Sequence, residues 1–112
     1  MKRLGDRGSV AAELALALPA VLIALLLGAG ALGAAAQQVR LQDASADAAR
    51  LLGRGEDAGA AAGVIGAAVP GAGMAQHARG DLVCVTATSE FTVGRLIRVP
   101  LRASSCALSG GK

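Results

Sequence analysis

The sequence predicts an α+β chain. A long N-terminal transmembrane and stem helix leads into a short second helix and a small antiparallel head of two or three strands. Three observations predict it. Residues 14–36 form an uncharged apolar run behind a basic N-terminus. Apolar side chains then recur at helical spacing until Gly53 and Gly55 interrupt them. Beyond residue 71 the apolar period shortens to two, in two segments that each carry one of the two cysteines.

At 112 residues the chain has room for one small domain beside any membrane segment. Apolar residues make up 54% of it, yet Phe91 is its sole aromatic, so much of that fraction is Ala and Gly. A head drawn from residues beyond about 55 is therefore marginal by burial alone. The formal charge is +3, and Lys2, Arg3, Asp6 and Arg7 supply most of it. The basic balance belongs to the N-terminus and says little about nucleic acid, an unlikely partner that stays open.

The 23 residues from Leu14 to Ala36 hold no charged or polar side chain. As a helix they extend about 35 Å, enough for a bilayer core of roughly 30 Å. Lys2, Arg3 and Arg7 precede the run, which puts the N-terminus inside and the rest of the chain outside the cytoplasmic membrane. Pro19 removes one backbone donor early in the helix and is a place for a kink. Ala17, Ala20, Ala24, Gly28, Ala31 and Ala35 recur at steps of three or four, a spacing that lets helices approach closely in lipid; an Ala-rich chain also produces it by chance. An ordinary secretory signal competes with this reading, because Ala34-Ala35-Ala36 offers a cleavage site before Gln37. Against it, the run exceeds the usual apolar length of about 7–15 residues, and Glu13 interrupts the basic-to-apolar transition. An uncleaved single-pass anchor is the third option.

From Gln37 to Leu52 the helix continues, with Leu41, Ala44, Ala48, Leu51 and Leu52 on one stripe and Asp47 within reach of Arg50. Gly53 and Gly55 end it. Glu56 and Asp57 open a second helix through Val69, with Ala61, Val64, Ile65, Ala68 and Val69 inward, and Pro70-Gly71 closes it.

Residues 81–89 and 98–107 alternate as strands, and residues 72–78 offer a third. Two thiols in a small exported head read as one disulfide, Cys84 to Cys106, with a pair of unlinked buried thiols as the alternative; their spacing matches no zinc pattern. Setting Cys84 opposite Cys106 in an antiparallel pair places Val85 opposite Ser105, Thr86 opposite Ser104 and Ala87 opposite Ala103. The Val/Ala/Leu face then stays on one side, the disulfide falls on the Thr/Arg side, and the turn centres near Arg95. Pro100 makes the second strand an edge or an irregular one.

Glu13 is the oddity at the head of the apolar run. Insertion scales assign an acidic side chain about 2.5–3.5 kcal/mol at a helix centre, and less near the interface. Gly8 stands five positions ahead of it. A cut after Gly8 gives Ser9 a new α-ammonium four residues from the carboxylate. Gly8-Ser9, Glu13, then Leu14-Ala15-Leu16-Ala17-Leu18-Pro19 and the apolar run resemble the N-terminus of TadE-like minor pilins, the pseudopilins of tight-adherence type IV pilus systems. The resemblance covers about residues 7–36. It implies a leader of residues 1–8 and an assembly helix over 9–36; the residue pattern itself adds a helical stem and second helix over 37–70 and a disulfide-linked head over 71–112. It implies a prepilin peptidase that cuts between Gly8 and Ser9, and a filament in which Glu13 pairs with the Ser9 ammonium of a neighbouring subunit. Other pilins, the membrane platform of pilus assembly and the lipid before assembly are the implied partners. A Glu13 that merely reaches up to the headgroups is the plainer option. Major pilins of these systems usually carry Tyr after the glutamate and lack a strand-rich head. Leu14 and the cysteine-bearing tail therefore point to a minor subunit.

No residues suggest an enzyme or a cofactor. His77 stands alone, Ser104-Ser105 reads as strand polarity, and Gly53-Arg54-Gly55 lacks the Lys-Ser/Thr of a phosphate loop. Arg95, Arg98 and Arg102 read as a solvated basic face without stacking aromatics. The expected function is that of a minor pilin in surface attachment. The alternative is a small secreted or membrane-anchored binding module with an ordinary signal.

Overall fold

A computed structural model describes residues 2–110, with side chains from Gly8 onward. Met1, Gly111 and Lys112 lie outside the described residues, as do the side chains of Lys2, Arg3, Asp6 and Arg7 on which the orientation argument rests. The elements are α1 (Lys2–Gly53), α2 (Ala58–Ala68), β1 (Gly73–Arg79), β2 (Leu82–Val93) and β3 (Ile97–Leu108). The fold is α+β, with one sheet in the order β1-β2-β3. The chain divides into two compact units, Met1–Leu32 and Gly33–Lys112.

In the first unit α1 runs through Pro19 without a break. From Val10 to Leu32 its large apolar side chains are exposed all round. This helix is long and apolar enough to cross a membrane.

The second unit holds the core. Leu41, Ala44, Ala48 and Ala49 of α1 pack with Ala61, Ile65 and Val69 and with Val85, Ala87 and Ala103 of the sheet. The stripe on α1 is wider than its large residues alone indicate. Ser45 and Ala49 are fully buried, whereas Leu51 is half-buried. Ser45 is tolerated there because its hydroxyl donates to the Gln42 carbonyl at 2.8 Å. Asp47 and Arg50 form the expected ion pair at 3.2 Å on the exposed side.

The end of α1 is a Schellman turn. Glu56 N–H donates to the Leu51 carbonyl and Gly55 N–H to that of Leu52, both at 3.0 Å, with Gly55 at φ +91°. Only a residue free to adopt positive φ closes the helix this way. Asp57 then caps α2, accepting from the Ala60 amide at 2.7 Å. Ala61, Ile65 and Val69 face inward as expected, Val64 is half-buried, and Ala68 is exposed. Val69 is the C-cap of α2, with extended backbone at φ −134° and ψ 96°, so its side chain turns inward off the helical spacing that leaves Ala68 outward. Val69-Pro70-Gly71-Ala72 forms a turn closed by a 3.0 Å bond from Ala72 N–H to the Val69 carbonyl.

In the sheet, Cys84 pairs with Cys106, Val85 with Ser105, Thr86 with Ser104 and Ala87 with Ala103. This is the register that the cysteines and the pleat require together. Strands β2 and β3 extend further than the alternation alone marks, to Val93 and from Ile97. The third strand is present and pairs with β2, from Gly73 opposite Thr88 to Arg79 opposite Leu82. Pro100 lies on β3, an edge strand, where a missing N–H costs no ladder bond if it faces outward.

Candidate functional site

Two sets of residues carry the functional expectations. The first is Gly8, Ser9 and Glu13 near the start of α1. All three are exposed, and the Gly8–Ser9 bond lies inside the helix. A Cβ on Gly8 would meet nothing within 4 Å. Ser9 and Glu13 are four residues apart on a continuous helix and thus share one face. Among the described residues no ion pair or side-chain hydrogen bond involves Glu13. Ser9 contributes a backbone amide to this face, not an ammonium.

The second set is the disulfide. Cys84 and Cys106 are bonded, with their Cα atoms 4.0 Å apart. Directly opposite residues come this close at the narrow, non-hydrogen-bonded pairs of an antiparallel ladder. The backbone groups of Cys106, and of Ser104 and Arg102 at the same parity, therefore point away from β2 to the outer edge. Helix α1 covers that edge. The Gln38 amide donates to the Arg102 carbonyl at 2.7 Å and the Gln42 amide to the Ser104 carbonyl at 2.9 Å. Pro100 has the same parity, which accounts for its place in a paired strand. On the other side of the hairpin Gln37 donates to Ser89 Oγ at 3.0 Å and to the Glu90 carbonyl at 3.3 Å. Three glutamines thus clamp the β2–β3 hairpin to α1 and blunt an otherwise open edge. Nothing in the sequence singles them out beyond polar residues at successive helical turns.

Two glycines set the distance between helix and hairpin. Phe91 rests on Gly33, and the Leu108 carbonyl rests on Gly53. Gly53 also accepts a 2.9 Å bond from the Gly110 amide. The sequence marked Gly53 as a helix end but gave no role to Gly33 or Phe91.

Of the remaining residues singled out from sequence, Arg102 and Ser104 join the clamp through their backbone carbonyls. His77 is exposed on β1, opposite Cys84. Ser104 Oγ lies 3.1 Å from Thr86 Oγ1, as neighbouring strand hydroxyls do. Arg95, Arg98 and Arg102 are exposed. Among the described residues no group of three or more His, Cys, Asp or Glu is placed to hold a metal ion.

Residues 8–50 match the model of the TadE-like protein family. The N-terminal segment of this chain, from the Gly8–Ser9 bond through the apolar run and most of the stem, is thus TadE-like. No curated protein and no solved structure matches the chain. The family suggests a pilus-associated protein, structural rather than catalytic, and the single long apolar helix suggests a single-pass membrane anchor.

Proposed function

We propose that this chain is a minor pilin of a tight-adherence type IV pilus. It sits in the cytoplasmic membrane with its N-terminus inside and its head outside. A prepilin peptidase then cuts it between Gly8 and Ser9, and the assembly platform draws it into a filament used for surface attachment. One observation carries the reading. The TadE-like match begins at residue 8, and from there to Leu32 no side chain is buried. Such a helix is covered by acyl chains before assembly and by the same helix of neighbouring subunits after it.

The chemistry at its start follows from charge. Gly8 weakens the helix locally by about 1 kcal/mol relative to Ala, which eases the opening that an extended protease substrate needs. Cleavage creates the Ser9 ammonium. In a filament Glu13 of an incoming subunit pairs with the Ser9 ammonium of its neighbour. A carboxylate buried among apolar helices is tolerable when paired and costly when alone. The pair therefore fixes axial register and favours transfer out of lipid. The competing reading, a signal removed before Gln37, would take away Gly33 and with it the backbone on which Phe91 rests.

The test is the N-terminus of the protein from its native cell. Mass spectrometry should find a chain starting at Ser9. A start at Gln37, or an intact Met1 in a cell with an active peptidase, rejects the proposal. Glu13→Ala should leave cleavage intact and reduce recovery of the protein in sheared pili; unchanged recovery removes the pairing role.

A further inference from the structure

Most turns of this head are built from small and polar residues, and one is not. The β1–β2 turn is Gly80-Asp81, and the stem ends in Arg54-Gly55. The β2–β3 turn is Gly94-Arg95-Leu96, with Leu96 94% exposed and Ile97 beside it 50% exposed. Turn positions favour Gly, Asn, Asp and Ser, so a bare Leu-Ile pair there lacks a local reason.

The position of this turn supplies one. Contacts between α1 and the hairpin run in order along the helix: Gly53 with Leu108, Gln42 with Ser104, Gln38 with Arg102, Gln37 with Ser89, and Gly33 with Phe91. The hairpin tip therefore lies at the end of the head where α1 enters it. There the helix is still within the apolar run that closes at Ala36. Phe91 already rests on that run. Leu96 and Ile97 lie beyond Phe91, toward the tip, and Arg95 and Arg98 flank them, both exposed. Apolar side chains at a tip with arginines at its rim match a bilayer interface: the apolar groups enter the acyl boundary, and the guanidinium groups stay at the phosphates.

We infer that the β2–β3 tip of this head rests in the outer leaflet of the membrane before assembly, with Leu96 and Ile97 in the acyl boundary and Arg95 and Arg98 on anionic headgroups. The inference rests on the membrane placement proposed above. It gives the head its own point of attachment to the bilayer, which must be released when the subunit leaves.

The chain contains no tryptophan, so one introduced Trp reports alone. Leu96→Trp, Leu22→Trp and Leu108→Trp are each placed in the full chain and reconstituted in phosphatidylcholine–phosphatidylglycerol vesicles, with and without acyl-brominated lipid. Leu22 marks the span, and Leu108 is the exposed apolar residue at the far end of the hairpin. The Leu96 and Leu22 reporters should be blue-shifted and quenched by bromine, the Leu108 reporter neither. Arg95→Gln with Arg98→Gln should weaken quenching at position 96 in anionic vesicles and leave position 22 unchanged. Quenching at 22 with water-like emission at 96 overturns the tip contact and leaves the anchor standing. Protection of 96 from aqueous iodide without quenching by bromine assigns the tip to a neighbouring protein, which also overturns it. Equal quenching at 96 and 108 reduces the contact to general adsorption. Absence of quenching at 22 rejects the membrane anchor and the tip contact together.

Discussion

A Cβ built on Gly53 would sit 2.6 Å from the Leu108 carbonyl oxygen, and one on Gly33 would sit 2.6 Å from Phe91 Cζ. The two distances are equal and their consequences are not. The carbonyl belongs to a strand pinned by its ladder and by Cys106 two residues away, so it has nowhere to go. The ring edge belongs to a half-buried side chain that can swing aside. Gly53→Ala should therefore destabilise the head by about 1–3 kcal/mol, the usual cost of forcing an extra carbon into a packed contact. Gly33→Ala should cost distinctly less. Gly63 provides the opposite sign: it lies in the middle of α2 and a Cβ there meets nothing within 4 Å. Gly63→Ala should stabilise by roughly 0.5–1 kcal/mol through the lower backbone entropy of its unfolded chain. Urea midpoints of the full chain in detergent, followed by circular dichroism, separate the three. A neutral Gly53→Ala would mean that strand and helix are not in contact there.

The β2–β3 hairpin is the element on which the head depends. The largest fully buried side chains are Leu41, Ile65 and Val85, a small set for a folded head. The disulfide closes a segment with a sequence separation of 22, worth roughly 3 kcal/mol in the chain-entropy model. Replacing Cys84→Ser and Cys106→Ser together should lower the melting temperature and speed proteolysis more than any single exposed change; an unaltered melting curve contradicts this. The element was largely legible in sequence because two periodicities converge on it. The cysteines fix the register and the alternation fixes the face, and only one pairing satisfies both. β1 was fainter. Its Ala, Gln, His and Arg give little alternation, and its bounds follow from the two-residue Gly80-Asp81 turn, in which Gly80 takes φ +61°. The glutamine clamp was not legible. Gln38 and Gln42 find their partners 64 and 62 residues away, and no local pattern distinguishes a solvated glutamine from one that covers a strand edge.

At the scale of the whole molecule the division at Leu32 and Gly33 separates two kinds of stability. Every buried apolar residue, from Leu41 to Ala103, lies in the second unit, and residues 8–32 bury nothing. The head should thus keep its fold without the apolar helix. A fragment of residues 33–112 should be soluble, hold the Cys84–Cys106 bond and unfold cooperatively. A fragment of residues 37–112 has the same core but lacks Gly33, and Phe91 loses the backbone under its ring. Aromatic surface exposed in this way costs about 25 cal/mol per Å². The shorter fragment should therefore show a lower urea midpoint than the longer one, and Phe91→Ala should lower the longer fragment's midpoint more than the shorter one's. Equal midpoints would mean that the head ends functionally at Gln37, which is what a cleaved signal requires. A lower midpoint for the shorter fragment means that the head uses the last turn of the apolar run as part of its own packing. A chain built that way gains nothing from being cut at Ala36 and loses nothing from being cut at Gly8.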